Sequence, residues 1–466
     1  MRNGRLGEVP LLMLAVFLIA GIVVGEYSTV VLPLFPIFAG MVVMSLLLWK
    51  YEILQSVAIV LCFFVLGWLL MNRQKENGNI VWPEGEVMYE AVVMSEPVEK
   101  PKTMAVEILL TGNSRQLKCY LYKDDRSRAL RIGDGLKIQS RIQDDRTFVA
   151  SWKWQKAQIS LSNLSRLERT RLFFLQLRSR LLARIRPHVT DAEAYAVVAA
   201  MTLGDKSALT KDVREVYSVT GASHVLALSG LHLGIIYSLL SLFVFRNRWQ
   251  VISQVLLVLS IWAFVFLVGM TTSVVRSAMM LSVYALLSLG RRDRMSVNTL
   301  AFTALVVLMV SPMSLFDVGF QLSYMAVLAI LLLMPLMESL VSREYLMSHH
   351  CLKWVYGMTG VSLAAQIGVA PLIAYYFGRF STFFLLTNFI VIPAATLILY
   401  LSLVVIAVPT LAFILLYVVS VLNAVLAWVA TIPGASIEGL HPTILQTAMI
   451  YVIIAAVYLL IVRLRR

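Results

Sequence analysis

The stretch His224-Val-Leu-Ala-Leu-Ser-Gly-Leu-His232 places two histidines, a serine and a glycine at the head of an apolar run that reaches Phe245. A polar side chain in hydrocarbon costs free energy unless it faces a protein interior or a water-filled path, and small residues let neighbouring helices approach closely. Within a single helix over 222–245, His224 and His232 would lie about 80° apart in projection and about 12 Å apart in height. They could face one cavity, but they could share a metal ion only if the helix broke, and Ser229-Gly230 is where a break would expose backbone to a wet path. Ser229 follows Ala227-Leu228 rather than completing the Gly-x-Ser-x-Gly of a nucleophile elbow, and no base is spaced to activate it.

Arg276 is the second focus. It follows Thr271, Thr272 and Ser273 a few residues into the apolar segment 272–290. A guanidinium keeps its charge, so it needs a carboxylate, a phosphate or water, or it snorkels to the interface. Asp317, Gln321 and Asn388 fall in the outer half of their expected spans, with His232 and Gln366 near mid-depth, which describes a polar vestibule narrowing toward the middle. Other chemistries lack their residues. There is no Gly-Lys pair and hence no Walker loop, and six histidines form no His-x-His-x-Asp-His cluster. Cys62, Cys119 and Cys351 show neither zinc spacing nor a disulfide framework. No catalytic residue, cofactor or metal is expected.

The elements that must position these groups follow from composition. Of 466 residues, 59% are hydrophobic and 14% charged, against about a quarter charged in a soluble domain. Runs near the length that crosses a bilayer predict a polytopic α-helical membrane protein. Twelve spans are expected, about 9–25, 30–48, 53–71, 222–245, 251–269, 272–290, 296–311, 318–335, 354–377, 383–402, 411–430 and 444–462. The basic start precedes a long apolar segment without a cleavage site, so it reads as the first membrane helix. Placing both termini in the cytoplasm puts Lys50, Arg246, Arg248, Arg291, Arg292, Arg294 and the C-terminal arginines inside, and 72–190 outside.

The polar region is basic, with 17 Lys/Arg against 13 Asp/Glu over 72–170. Segments 86–98, 103–111, 115–123, 135–143 and 147–159 read as five short strands between turn residues, which suits a small OB-like β-barrel. Lys118, Tyr120, Tyr122, Trp152, Lys153 and Trp154 are its candidate nucleic-acid contacts, with Trp82, Tyr89 and Phe148 as further aromatics. Aromatics stack bases and cations follow phosphates; the competing reading is that the rings pack the barrel. Residues 165–186 read as a basic amphipathic helix with Phe174, Leu177, Leu181 and Ile185 as its apolar stripe, suited to a membrane surface. Asp191 is the expected N-cap of a helix ending at Leu203, and Asp205 is expected to pair with Arg214. The partition is 1–71 membrane segment, 72–164 external β domain, 165–190 interfacial helix and 191–466 membrane domain.

The ordered blocks carry a resemblance. The His-x-x-Ala-x-Ser-Gly-x-His element is preceded by Ala-Tyr-Ala-Val-Val-Ala-Ala-Met-Thr-Leu-Gly-Asp-Lys. It is followed by Ser273-Val-Val-Arg276, then Gly319-Phe-Gln-Leu-Ser-Tyr324, then Gln366 to Pro371, Asn388 and Pro393. Together they resemble ComEC-type competence proteins, inner-membrane channels for transforming DNA. A Gly-Asp turn like Gly133-Asp134 is similar to one in the family's N-terminal module. Arg276-Ser277 departs from the commoner Arg-Ala, and the sequence ends at Arg466, where many members continue into a metallo-β-lactamase-like domain.

The resemblance implies passage of single-stranded DNA into the cytoplasm, without enzyme activity in this chain. His224, Ser229, Gly230, His232, Arg276, Gln321, Gln366 and Asn388 would line the path. A cytoplasmic ATPase or helicase motor, a periplasmic DNA receptor, a separate nuclease and a second copy of the chain are the implied partners. A secondary transporter of a small or lipid-linked solute is the alternative, using intramembrane His and Arg for coupling.

Overall fold

The computed structural model of the protein describes residues 10–28, 33–78, 82–143, 145–189, 191–242, 249–289 and 297–465. The basic residues Arg246, Arg248, Arg291, Arg292, Arg294 and Arg466, on which the expected orientation partly rests, lie outside the described residues.

Three apolar helices come first, α1 (Pro10–Tyr27), α2 (Leu34–Leu47) and α3 (Glu52–Gly78). α1 and α3 pack through glycine. A Cβ on Gly21 would stand 1.9 Å from the Phe64 carbonyl oxygen, and one on Gly67 2.3 Å from that of Leu18, so any larger residue forces the pair apart.

The polar region folds as a sheet of β1 (Val87–Val93), β2 (Val98–Glu99), β3 (Thr103–Leu110), β4 (Gln116–Tyr122), β5 (Gly135–Ser140), β6 (Arg146–Val149) and β7 (Trp154–Lys156). The short helix α4 (Asp125–Arg128) lies between β4 and β5. Alternation sets the faces: Leu117, Cys119 and Leu121 point into the core while Lys118, Tyr120 and Tyr122 point away from it. The strand order is β6-β4-β3-β1-β5-β7, with β2 on β3. All pairs are antiparallel except β4 with β6. The expected barrel is not closed. Beyond β5 the chain makes only an isolated bridge, Gln143 with Arg146, before β6, so among the described residues the ladder does not run back on itself.

α5 (Arg166–Ile185) begins at a reciprocal cap between Ser165 and Glu168. Its buried stripe is Leu172, Leu175, Leu182 and Ile185; of the expected Phe174, Leu177, Leu181 and Ile185, only Ile185 lies in it. The reason is that two structures claim the helix in succession. Leu172 and Leu175 pack with Val92, Met94 and Leu109 of the sheet, and Leu182 packs with Ala199 and Leu203 of the helix that follows.

The remaining helices are α6 (Ala192–Leu203), α7 (Lys211–Val219), α8 (Ser223–Leu226), α9 (Gly230–Ser241), α10 (Gln250–Leu267), α11 (Thr272–Leu289), α12 (Val297–Val310), α13 (Val318–Glu338), α14 (Arg343–Ser348), α15 (His350–Phe377), α16 (Phe384–Ala407), α17 (Ala412–Thr431) and α18 (Ile444–Leu464). A two-stranded ribbon, β8 (Arg379–Ser381) with β9 (Ser436–Glu438), ties the α15–α16 turn to the α17–α18 turn. Among the described residues, eight helices are long and apolar enough to cross a membrane: α1, α3, α10, α13, α15, α16, α17 and α18. The other four expected spans also form helices: α2, α9 and α12 are shorter, and α11 falls among the shorter apolar helices over Thr272–Leu286. The span expected at 222–245 is divided into α8 and α9 by extended backbone, with Ala227 at φ −93°, ψ 123° and Ser229 at φ −133°, ψ 178°. Asp191 caps α6 as expected, accepting from the Glu193 and Ala194 N–H groups. Asp205 does not pair with Arg214; it accepts from the Ser207 N–H, and Arg214 donates to the Lys206 carbonyl.

Candidate functional site: a ring of helices and a buried arginine

Five helices form a closed circuit of contacts: α9 touches α11, α11 touches α13, α13 touches α15, α15 touches α16, and α16 touches α9. Each brings one of the polar residues singled out in the sequence: His232 on α9, Arg276 on α11, Gln321 on α13, Gln366 on α15 and Asn388 on α16. Arg276, Gln321 and Asn388 all lie within the first two turns of their helices. That end of the bundle carries the sheet, because Arg171 of α5 donates both to Gln116 Oε1 of β4 (3.0 Å) and to the Gly269 carbonyl at the α10–α11 turn (3.4 Å).

The break before α9 sets the first wall of the ring. His232 is fully buried, with Nδ1 3.2 Å from Ser229 Oγ across the first turn of α9. A Cβ on Gly230 would stand 3.0 Å from Ser277 Oγ of α11, so glycine is what lets the start of α9 lie against the residue next to Arg276. His224 stays on the other side of the break, exposed, its Nδ1 donating to the Gly221 carbonyl at 3.0 Å. The two histidines therefore do not share one helix.

Arg276 is 3% exposed. Its Nη1 faces Asp317 Oδ1 at 3.5 Å, and its guanidinium lies 5.9 Å from the centre of the Phe320 ring. Among the described residues, Nε and Nη2 have no hydrogen-bond partner. Gln321 donates to the Leu315 carbonyl at 3.0 Å and accepts from Tyr376 Oη at 2.8 Å, linking α13 to α15. Asn388 donates to Ser362 Oγ at 3.2 Å, linking α16 to α15. Gln366 is half-buried on α15.

Three residues were not expected at the site, although Gly319 and Phe320 stand in one of the blocks that carry the resemblance. Gly319 and Phe320 shape the approach to Arg276, and a phenylalanine inside an apolar run carries no polar signal. Arg379 on β8 holds Glu215 and Glu438 at 2.8 Å each and Ser218 Oγ at 3.1 Å, joining the ribbon to α7. The Glu215 hydrogen bond leads the interactions that raise its pKa above the ordinary arginine value. These partners are far apart in sequence, so spacing could not reveal them.

On the sheet, Lys118 and Tyr122 are exposed and Tyr120 stacks on Phe148 of β6, ring centres 4.8 Å apart and planes 14° apart. The register places Lys118 beside Arg146 and Tyr120 beside Phe148, which adds Arg146 to the expected set. Trp152 is 82% exposed. Trp154 corrects the expectation: it is 3% exposed in the sheet's core, because β7 turns it inward beside Ile138, and its ring cannot meet a base. Lys153 is held by Glu86.

The long apolar helices and the polar ring define a multi-pass membrane protein. The family model for competence proteins matches residues 201–464, more than half of the chain, and the chain belongs to that family, of the ComEC type. It is similar to ComE operon protein 3 of Bacillus subtilis (strain 168), 28% identical over 248 residues that make up 52% of this chain and 30% of the relative. It is also similar to an uncharacterized protein of Aquifex aeolicus (strain VF5), 30% identical over 237 residues, 51% of each chain. The chain thus spans about half or less of the curated relatives it matches. No solved structure matches it.

Proposed function

We propose that this chain takes part in DNA uptake during competence, by conducting single-stranded DNA across the cytoplasmic membrane through the ring of α9, α11, α13, α15 and α16. The observation that carries the reading is the ring itself: five contiguous helices of one chain, each contributing a polar side chain. Polar groups in membrane helices mark an interior path because lipid offers them no partners. The broken stretch Ala227–Ser229 supports it too, since non-helical backbone at membrane depth is tolerated where it lines a cavity.

In this reading the sheet is an OB-like receiving surface outside the cell membrane. β1 paired with β3 and β5, and β4 parallel to β6, support that topology, and the stacked Tyr120–Phe148 pair beside Lys118 and Arg146 offers a base platform flanked by cations. Both chain ends lie in the cytoplasm. A cytoplasmic ATPase supplies the pulling force, and a periplasmic receptor delivers the strand. Because one chain completes the ring, a second copy is not needed to form the path.

The test is DNA internalisation in the source cells, scored as labelled DNA reaching the cytoplasm and as surface-bound DNA. Deletion, His232→Ala and Arg276→Ala, the variants at normal protein level, are expected to abolish internalisation and leave surface binding. Undiminished internalisation in the deletion overturns the reading and favours transport of a small solute.

A further inference from the structure

The sheet-side end of α13 concentrates positive charge that is only partly answered. α13 is a 21-residue helix whose N-terminal N–H groups carry a partial positive charge. Arg276 of α11 is directed at that same terminus, which is an unfavourable pairing unless an anion lies between them. Asp317 supplies one, but a single oxygen does both tasks: Oδ1 accepts from the Phe320 N–H at 2.8 Å and faces Arg276 Nη1 at 3.5 Å. Charge-assisted N–H···O bonds are commonly about 2.7–2.9 Å, so the ion pair is loose. Asp317 is 45% exposed whereas Arg276 is 3% exposed. Although it is buried, the guanidinium keeps Nε and Nη2 unpartnered among the described residues. Among the described residues no other carboxylate pairs with it. Gly319 completes the arrangement. A Cβ there would stand 3.2 Å from Nη2 and 3.0 Å from Asp317 Oδ1, so glycine is what lets the first turn of α13 lie this close to the fork.

We propose that Arg276 and the N-terminus of α13 form a phosphodiester-binding site in which Asp317 is the exchangeable resident anion. A phosphodiester has two non-bridging oxygens and one negative charge. As Asp317 moves aside, one oxygen takes the unpartnered Nε–Nη2 edge of the guanidinium, the geometry that arginine offers and lysine lacks. The other takes the helix N–H groups as Asp317 swings toward water. Exchange of one anion for another leaves the buried charge balanced, so a strand is held at this point without being trapped there. The site rests on the DNA-path reading for its usual occupant, but the same chemistry is present in a lipid headgroup.

The test uses the purified full chain in maltoside, with two probes: labelled dT12 followed by anisotropy, and phosphatidylglycerol retained in native mass spectrometry. Asp317→Asn keeps the helix cap, since asparagine caps as well as aspartate, and removes the competing charge. It is expected to tighten dT12 about fivefold at low salt, the scale set by a partly exposed ion pair. Arg276→Lys in the Asp317→Asn background is expected to remove that gain. A gain with dT12 supports the site and the DNA path together. A gain confined to phosphatidylglycerol supports the site, assigns it to lipid and counts against the DNA path here. Affinities unchanged or weakened by Asp317→Asn with both probes, or a gain that survives Arg276→Lys, overturns the site; the DNA path is then judged by internalisation alone.

Discussion

Replacing Phe148 by alanine separates a base platform from a packing ornament. The ring is 68% exposed and stacked on Tyr120 at 4.8 Å. Losing an aromatic pair on a surface costs about 0.5–1.5 kcal/mol of fold stability, which the sheet's buried core tolerates. If a base stacks there, its loss weakens binding by about 1–3 kcal/mol, or roughly 5- to 150-fold. The two effects are told apart by salt. Phe148→Ala should shift the whole affinity–salt line down without changing its slope. Arg146→Ala should lower the slope by about 0.7, one phosphate contact on a single strand. Trp154→Ala is the contrast: a core indole at 3% exposure costs about 3–5 kcal/mol when truncated, so the sheet fails as a fold rather than as a surface. The assay is anisotropy of a labelled oligothymidine on the solubilised full chain across a potassium chloride series. An affinity for Phe148→Ala that matches wild type at every salt concentration refutes the stacking argument.

Two further outcomes are expected. Gly67→Leu places side-chain atoms where the Leu18 carbonyl sits, 2.3 Å from the Cβ position, so α1 and α3 cannot close and the yield of folded, monodisperse protein should collapse; normal yield and thermal midpoint would refute that packing. Labelling of intact cells with a membrane-impermeant maleimide tests orientation: exposed Cys351 at the start of α15 should stay unlabelled and Trp152→Cys should label. Cys119 should label in neither case, because it lies in the sheet core where burial pushes its thiol up to about 12. Labelling of Cys351 from outside would reverse the topology.

Much of this architecture was legible because the bilayer enforces coarse rules. Apolar length marked the helices, alternation marked β3 and β4, and a charge in an apolar run marked Arg276. What the sequence could not show depends on partners distant in the chain. The α5 stripe was misplaced because two different surfaces, sheet and α6, bury successive parts of it. Trp154 was indistinguishable from Trp152 by type, and only the β5–β7 register turns one inward. The α8–α9 break was suggested by Ser229-Gly230 but required knowing that Ser277 lies beside it. That His232, Arg276, Gln321, Gln366 and Asn388 sit on five consecutive members of one ring is a fact of helix adjacency, invisible to periodicity.

The ring has a consequence for how the molecule is made. Its closing contact joins α9 to α16, helices that are far apart along the chain. During synthesis α9, α11 and α13 are made well before α16 exists. Through that interval the polar faces of the early helices have no finished interior to turn toward, and each would meet lipid at a cost. The Arg276–Asp317 contact becomes available as soon as α13 arrives, so it can screen the guanidinium while the wall is still open. A nascent chain stalled before α16 is thus an unsealed half-ring, the state in which chaperoning by the insertion machinery or removal by membrane proteases would act.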